Sequence, residues 1–268
     1  MPRILKTKIY IPTLNRVGEN RQVTLREFLT KSKYVPYLVS SPEEVNAHKQ
    51  YHDNVIGCPE NGKNGIGKTR QWILENSDAD IIIMIDDDMK FQYRPEASST
   101  KLEQATELNS MIQACVKAVS QGYIHGGVST RQGNNHVVES TKINTRCGGF
   151  HFLARKEVIQ VGARFDKLLI MEDFYFTLSL LTKGYPNLMI FSHCFNQVPG
   201  SIGGCNTYRT LELQKKAAEE LHKQFPEFVK VVKKVAKTDW SIAKGERTDV
   251  IIQWAKAHKH GLAKRKTP

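Results

Sequence analysis

The sequence predicts an α/β fold, Rossmann-like, in which a mostly parallel central sheet is flanked by helices. Short apolar segments alternate with segments of helical periodicity, as in chains that build such sheets. The run IIIMI at 81–85 is apolar throughout, which is typical of a strand buried on both faces. With 268 residues, 40% hydrophobic and 25% charged, the chain suits one globular domain, alone or with an extension.

The predicted elements follow in order along the chain. Strands are predicted at 8–11 (ended by Pro12), 35–39, 55–58, 81–85, 126–130, 149–154 and 188–192. Helices are predicted at 42–51, 68–76, 102–121, 156–161, 172–183, 210–224 and 227–237. The third of these helices is indicated by Leu108, Ile112, Cys115 and Val119, which recur at helical spacing.

The character of the chain changes near residue 205. Residues 1–205 form the predicted α/β domain, and residues 206–268 form a predicted basic helical extension that ends in GLAKRKTP. Just before the change, PGSIGGCNTYR is predicted to be a flexible loop that closes over a ligand. Gly200, Gly203 and Gly204 would form its hinge or, alternatively, simple turns.

Charge and cysteine content restrict the partners and the compartment. The net charge of +12 predicts attraction to polyanions such as nucleic acid, anionic lipid or nucleotides. The five cysteines are widely spaced and form no CxxC pair, which disfavours a disulfide framework and favours a reducing cytoplasm. No apolar run approaches the ~20 residues that span a bilayer, and no signal peptide is visible, so we expect no membrane partner. The oligomeric state is not indicated.

Three carboxylates, Asp86, Asp87 and Asp88, follow the apolar run at 81–85 directly. Ligands of open α/β sheets bind at the carboxyl ends of the strands. Adjacent carboxylates repel one another in a half-buried site, and a divalent cation relieves that repulsion. The pattern therefore predicts an Mg²⁺ or Mn²⁺ site that bridges the protein to substrate phosphates. A solvated acidic turn is the alternative.

Glu172 and Asp173 form a second acidic pair, at the start of a predicted helix. They are either a helix cap that complements the helix dipole or a source of the general base in the same cleft. His193 follows a predicted strand and is a candidate third metal ligand through a neutral imidazole nitrogen. A structural hydrogen bond is the alternative for this histidine.

Taken in order, these segments resemble the GT-A class of glycosyltransferases. The resemblance covers about residues 7–209, and its parts are IPTLNR, GIGKTRQWILENSDADIIIMIDDDM, GGFHFLARKEVIQVGARFD, MEDFYFTLSLLTKG and a closing histidine. It implies transfer of a sugar from a nucleotide sugar, most simply a UDP-sugar, to a hydroxyl group. The departure from the simplest DxD pattern is Asp87 in the variable middle position, which leaves open which two aspartates bind the metal.

The resemblance also implies roles for individual residues. Asp88 and His193 would bind the metal, and Asp86 would contact the ribose or the metal. Asp173, with Glu172 beside it, would supply the base of an inverting reaction. The residues of the implied nucleotide-sugar site are Thr13, Asn15, Arg16, Arg70, Asp86 and Asp87.

Within that class, the short basic chain resembles the phage glycosyltransferases associated with TET-type dioxygenases. Those enzymes place sugars on 5-hydroxymethylcytosine in DNA, so the resemblance implies a DNA acceptor and the cytoplasm of an infected bacterium. Basic side chains near the C-terminus would hold the DNA phosphates, or would simply be solvated helix faces. They are Lys215, Lys216, Lys223, Lys230, Lys233, Lys234, Lys237, Lys264, Arg265 and Lys266.

Two other functions remain open from the residues. GKNGIGKT, at 62–69, matches the P-loop pattern, and 81–88 would then be the strand that holds magnesium in an ATPase or nucleotide kinase. Against this, Pro59, Glu60 and Asn61 separate the loop from the nearest predicted strand, whereas a P-loop follows its strand at once. The second alternative is a basic nucleic-acid-binding protein without enzymatic activity.

Overall fold

The structure is a computed structural model that describes residues 5–61, 65–96, 101–198, 204, 208–235 and 246–266. The predicted boundary at residue 205, the glycines Gly200 and Gly203, the first residues of GKNGIGKT and Lys237 lie outside these ranges. Within the ranges, every helix is too short or too polar to cross a membrane.

The described residues form twelve strands and nine α-helices. The strands are β1 (Thr7–Pro12), β2 (Tyr37–Ser40), β3 (Val55–Gly57), β4 (Ile81–Ile85), β5 (Met89–Tyr93), β6 (Glu103–Gln104), β7 (His125–Thr130), β8 (Thr141–Ile143), β9 (Phe150–Ala154), β10 (Asn187–Gln197), β11 (Val229–Val235) and β12 (Glu246–Ile252). The α-helices are α1 (Val23–Lys31), α2 (Val45–His48), α3 (Gly65–Asn76), α4 (Asn109–Ser120), α5 (Arg131–Asn134), α6 (Arg155–Val161), α7 (Glu172–Leu181), α8 (Leu211–Gln224) and α9 (Trp254–Lys266).

One large sheet has the strand order β3-β2-β1-β4-β9-β7-β10-β5-β6, with β8 paired to β10. β1 to β4 are parallel to one another, and β10 is parallel to β7. β9 is antiparallel to both β4 and β7, so β7 and β10 point the same way as β1 to β4. This confirms the predicted mostly parallel sheet. The carboxyl ends of the parallel strands share one edge.

β4 lies at the centre of two hydrophobic layers. Because side chains alternate along a strand, Ile83 and Ile85 face one layer, whereas Ile82 and Met84 face the other. The first layer includes α1 and α4, and the second includes α3, α6 and α7. Burial on both faces explains why every position of β4 is apolar, and it fixes the acidic residues after β4 at the edge of the sheet.

Residues from 208–235 and 246–266 pack on α7. Leu178 and Leu181 of α7 contact a cluster that includes Leu221 of α8, Phe228 before β11 and Ala257 of α9. The predicted helix at 227–237 is wrong, since β11 occupies Val229–Val235 and pairs antiparallel with β12. The valines of VKVVKKV fit a strand because their branched side chains pack well on a pleated surface.

Two further differences lie near the acidic residues. The predicted helix at 102–121 begins only at Asn109, because Glu103 and Gln104 pair with Tyr93 and Gln92 of β5 at the edge of the sheet. α1, β5, α5, β8, β12 and α9 were not predicted. Of these, α1 and β5 flank the acidic turn and position it.

Candidate active site

The acidic turn at 86–88 follows β4 at the carboxyl edge of the sheet. At the start of α1, the Thr24 N–H donates to the carbonyl of Asp87 at 3.1 Å, and the Thr24 hydroxyl donates to the carbonyl of Asp86 at 2.6 Å. From the other side, the Asp86 N–H donates to the carbonyl of Gly149 at 2.9 Å. The backbone of the turn is therefore held by hydrogen bonds on both sides. These bonds use backbone groups of the turn, so they do not occupy its carboxylates.

Asp87 points into the protein. Its Oδ2 accepts a hydrogen bond from the Thr13 hydroxyl at 2.7 Å, and its Oδ1 accepts from Nη1 of Arg16. Gln22 in turn donates to Oγ1 of Thr13 at 2.8 Å. Burial raises the pKa of Asp87 to about 7, although the positive charge of Arg16 acts in the opposite direction. Asp87 therefore ties the loop after β1 to the acidic turn.

The same loop carries the other residues predicted for the nucleotide pocket. Asn15 has a left-handed backbone (φ 55°), and its N–H donates to Oε1 of Glu44 at 3.0 Å. Arg16 Nη1 also lies 3.3 Å from Oδ2 of Asp88. Gly204, the described member of the predicted hinge, lies beside the Arg16 guanidinium. The structure thus brings this loop and the acidic turn together.

Arg70 of α3 joins two acids that are distant in sequence. Its Nη2 donates to Oδ1 of Asp86 at 2.7 Å, and its Nη1 donates to Oε1 of Glu172 at 2.6 Å. Burial is the main cause of the raised pKa of Glu172 and of Asp86, and the nearby charge of Asp173 raises both further. Arg70 opposes these shifts, so the guanidinium partly neutralises a crowded acidic cluster.

Glu172 and Asp173 begin α7, but they point to different surroundings. Glu172 is buried against Arg70. Asp173 is half-buried, and its Oδ2 lies so close to Gly148 that a Cβ there would overlap it. An ideal Cβ on the next residue, Gly149, would lie 3.2 Å from Oδ2 of Asp86. Two consecutive glycines therefore allow carboxylates from α7 and from the acidic turn to approach the same stretch of backbone.

The structure does not bring His193 to this cluster, which corrects its prediction as a metal ligand. β10 extends to Gln197, so His193 lies within the strand, opposite Tyr93 of β5. Asp88 immediately precedes β5, five residues from Tyr93, a separation of roughly 17 Å along a strand. The two ring nitrogens of His193 each lie 3.1 Å from a serine hydroxyl. Its contacts match the structural alternative.

Several residues that position the site were missed in the sequence. Besides Thr24 and the two glycines, Asn61 donates from Nδ2 to the carbonyl of Thr13 at 2.7 Å and to that of Val39 at 3.2 Å, which ties β1 to β2. The one local signal was the Gly-Gly pair at 148–149, because two glycines at the start of a strand indicate a close approach of another group.

The first turn of α3 does not have the environment of a P-loop. The N–H of Ile66 donates to the Tyr208 hydroxyl at 3.2 Å, and an ideal Cβ on Gly65 would lie 2.6 Å from the carbonyl oxygen of Leu169. The protein's own chain therefore covers the helix end that a P-loop presents to phosphate. β3 also ends at Gly57, eight residues before α3 begins at Gly65.

Many basic residues of the C-terminal segment have acidic partners on the same element or hairpin. Lys216 lies 2.7 Å from Glu212 of α8, and Lys233 lies 2.5 Å from Glu246 across the β11-β12 hairpin. The Arg265 guanidinium stacks on the ring of Tyr185, 4.4 Å from its centroid. For these three residues such contacts favour the solvated or structural alternative.

Two solved structures illustrate the likeness of this fold to known proteins. The S. aureus protein TarS has a TM-score of 0.50 at 13% identity, over 81% of this chain and 40% of TarS. GalNAc-T7, solved with UDP, GalNAc and Mn²⁺, has a TM-score of 0.50 at 11% identity, over 82% of this chain and 48% of that protein. The chain thus spans less than half of either structure. The fold, with acids at the end of its central strand, is that of the GT-A glycosyltransferases.

Within that class, the chain belongs to the TET-associated glycosyltransferase family, whose model matches residues 7–198. The beta-glucosyl-HMC-alpha-glucosyl-transferase of Enterobacteria phage T6 is 27% identical over 238 residues, which cover 81% of this chain and 80% of the relative. The phage T2 protein of the same name is 27% identical over 215 residues, with coverages of 72% and 74%. The predicted family and enzyme class are confirmed, and the kinase and the non-enzymatic alternatives are set aside.

Proposed function

We propose that this glycosyltransferase moves a sugar from a nucleoside diphosphate sugar, most simply a UDP-sugar, to a hydroxyl on modified cytosine in DNA, with the help of Mn²⁺ or Mg²⁺. The observation that supports it most is the convergence of Asp86 and Asp173 on the glycines at 148–149, with Arg70 between Asp86 and Glu172. A metal and a diphosphate beside a general base need this combination of charges.

Asp86 and Asp88 are the residues that would hold the divalent ion. Their carboxylate oxygens are the hard donors that Mn²⁺ and Mg²⁺ prefer, and Asp88 adds to the raised pKa of Asp86, a repulsion that a cation would relieve. Among the described residues, no third His, Cys, Asp or Glu forms a tight ligand group with them. Donor phosphates and water would complete the coordination, as is usual for Mg²⁺. The ion would supply a Lewis acid for the departing diphosphate.

Asp173 is the proposed general base. It is half-buried at the start of α7 and lies against Gly148, so its carboxylate can face an acceptor hydroxyl. Glu172 is occupied by Arg70, and we assign it the role of holding that guanidinium at the donor's diphosphate. A base that removes the acceptor proton as the hydroxyl attacks the anomeric carbon implies inversion of configuration.

The loop after β1 is the proposed nucleotide side of the pocket. Thr13 and Arg16 donate hydrogen bonds to Asp87, and Asn15, in the same loop, is exposed to solvent. Asp87 would therefore act by fixing this loop, whereas Asp86 would contact the ribose or the metal. This division of roles leaves Asp86 and Asp88 as the two metal-binding members of the acidic turn.

Two observations support the proposal of a DNA acceptor, namely the family of the protein and its net charge. The curated relatives are named for transfer to glucosylated hydroxymethylcytosine, and the net charge of +12 suits a polyanionic substrate. We propose residues 206–268 as a basic extension that contacts DNA phosphates, chiefly through Lys223, Lys230 and Lys264. The base would leave the stack to reach the sugar. The reaction would take place in the cytoplasm of an infected bacterium.

The decisive experiment is mass spectrometry of DNA after incubation with the enzyme, Mn²⁺ and a panel of nucleotide sugars. The DNA would contain cytosine, hydroxymethylcytosine or glucosylated hydroxymethylcytosine. We expect a sugar-sized mass gain on one of the two modified bases, none on cytosine, and none with EDTA. Absence of any gain with every donor would overturn the proposal. NMR of the product would test inversion, since retained configuration would remove the need for Asp173 as a base.

The proposed contact of residues 206–268 with DNA is tested by comparing two triple variants. Glutamine at Lys223, Lys230 and Lys264 together should raise the KM for DNA and reduce its salt dependence, because fewer counterions are released on binding. Transfer to a short single-stranded acceptor should fall less. Glutamine at Lys215, Lys216 and Lys233, which lie in ion pairs with acids of the protein, is the matched control. Equal effects of the two triple variants would contradict the assignment.

A further inference from the structure

We propose that the chain holds a second metal site, separate from the acidic turn, in which His125, Cys147 and His151 bind a zinc ion. His125 begins β7, Cys147 lies in the segment before β9, and His151 is the second residue of β9. Three backbone segments therefore direct three metal-binding side chains to one point in the interior. The site would be structural, because all three residues are buried.

The distances between the side-chain atoms fit a shared ion. Nε2 of His125 lies 3.2 Å from Nδ1 of His151, and Sγ of Cys147 lies 3.5 Å from the same Nδ1. All three ligand atoms lie within 4.8 Å of one another. Two nitrogens around a tetrahedral zinc ion are roughly 3.4 Å apart, and a nitrogen and a sulfur are roughly 3.6 Å apart, from usual bond lengths of about 2.1 and 2.3 Å.

The surroundings of the cluster are apolar. The two imidazoles stack with centroids 5.5 Å apart, and the rings of Phe165 and Phe176 pack against His151 at 5.4 and 6.4 Å. Within the described residues, Nδ1 of His125 and Nε2 of His151 have no hydrogen-bond partner. A single hydrogen bond between the rings offsets little of the free-energy cost of burying two imidazoles. Bonds to a metal ion would offset that desolvation cost far better.

The ligand set indicates the metal. One thiolate and two imidazoles suit zinc, a borderline-soft ion that takes sulfur and nitrogen ligands, and they do not suit Mg²⁺ or Mn²⁺. Binding would form one Zn–S and two Zn–N bonds, and the Cys147 thiol would release its proton to solvent. A fourth position would remain for water or another group. The two metal sites of this protein would therefore differ in chemistry as well as in place.

The position of the cluster suggests what the ion would do. Cys147 directly precedes Gly148 and Gly149, which lie against Asp173 and Asp86. Phe176, which packs on both histidines, belongs to α7, the helix that begins with the catalytic acids. An ion at this point would join β7, β9 and the glycine turn beneath the active site. It would act as a positioning element and would not touch substrate.

The test is the metal content of the full chain, purified without a metal-affinity tag and measured by inductively coupled plasma mass spectrometry. We expect one zinc ion per chain in the wild type and in Asp88→Asn, and loss of most of the zinc in Cys147→Ser. Cys115→Ser is the matched control, because Cys115 is an equally buried free thiol that belongs to no metal-binding group among the described residues. Equal zinc in Cys147→Ser and in the wild type would overturn the site.

A second measurement uses only the wild-type chain, in case Cys147→Ser does not fold. The protein would be unfolded with a chelator and refolded with Co²⁺ in place of zinc. A thiolate-to-cobalt charge-transfer band, with tetrahedral d-d bands that zinc abolishes, is expected for a site with one sulfur ligand. A spectrum without the charge-transfer band, together with zinc-free wild-type protein, would mean that the histidines only bond to each other.

Discussion

The Nη2 of Arg70 donates to Oδ1 of Asp86 at 2.7 Å, and this contact joins helix α3 to the acidic turn after β4. The other terminal nitrogen of Arg70 binds Glu172, so one planar guanidinium spans the buried Glu172 and the half-buried Asp86. Its charge lowers the cost of keeping these carboxylates ionised at one edge of the sheet. The arrangement makes Arg70 the link between the metal side and the base side of the proposed site.

Arg70→Lys should weaken both stability and donor binding. A lysine ammonium cannot reproduce the two-pronged geometry, so one buried acid would lose its partner, at a cost of about 3 kcal/mol in the free energy of unfolding. We expect a higher KM for the nucleotide sugar as well, measured by steady-state kinetics beside urea unfolding. Arg164→Lys, at a surface pair with Asp166, should cost less than about 1 kcal/mol. Equal effects of the two changes would contradict the proposed role.

Asp88→Asn should abolish transfer and the Mn²⁺-dependent part of UDP binding, while the protein stays folded. The amide keeps the shape of the side chain but removes the charge that would hold the ion. Thermal shift with UDP, in Mn²⁺ and in EDTA, measures this directly, since only a bound ligand raises the melting temperature. Asp78→Asn, an exposed acid before the amino end of β4, is the control. Normal turnover in Asp88→Asn would remove Asp88 from the metal site.

Asp173→Asn should reduce the rate of transfer by roughly 10²- to 10⁴-fold with donor binding unchanged, because the residue would no longer accept the acceptor's proton. Single-turnover kinetics and UDP affinity separate these two effects. Glu157→Gln removes an acid from the first turn of α6 and so controls for the helix dipole. If both variants transfer sugar at the wild-type rate, Asp173 is only a helix-capping residue.

Gly148→Ala should slow transfer without removing any catalytic group. The added methyl would overlap Oδ2 of Asp173 and displace it, and a displacement of about 1 Å can cost up to about 10²-fold in rate. We expect a lower kcat with little change in UDP affinity. Gly162→Ala, where a methyl meets no described atom within 4 Å, controls for a glycine-to-alanine change away from the site, although its φ of +70° adds strain that Gly148 does not have. A kcat equal to that of the control would show that Asp173 does not need this space.

Glu172→Gln should change the pH dependence of stability. Burial raises the folded-state pKa of Glu172 above its ordinary value of 4.5, so the folded state binds the proton more tightly than the unfolded state. The resulting stability is present at low pH and is lost as pH rises from about 4.5 towards neutrality. Urea unfolding without metal should therefore show a steeper decline over this range in the wild type than in Glu172→Gln. Asp87 is unchanged in both proteins, so the difference in slope reports Glu172 together with its effect on Asp86 through their shared partner Arg70.

Much of the core of the fold was predictable from local pattern. β4 was identified with its observed bounds because five consecutive apolar residues before a run of acids fit a strand buried on both faces. The segment at 227–237 shows the limit of such reasoning. Its alternation of valine and lysine is compatible with a charged helix, and only pairing with β12 makes it a strand.

The candidate site divides in the same way. The acidic turn and the acids of α7 were predictable, because strand ends and helix starts are visible in the sequence. His193 was misassigned because the predicted strand ended at residue 192, whereas β10 continues to Gln197 through pairing with β5. The cluster of His125, Cys147 and His151 gave no sequence signal, since its members come from separate backbone segments.

By itself, the sequence determined the alternation of strands and helices, the family and the position of the acids at the end of β4, since these depend on local periodicity and on motif order. Only the tertiary structure decided which groups meet. Arg70 contacts acids 16 and 102 residues away in the chain, and Thr13 contacts Asp87 across 74 residues. The physical reason is that such contacts depend on the order in which strands pair, and nothing in the local sequence specifies that order.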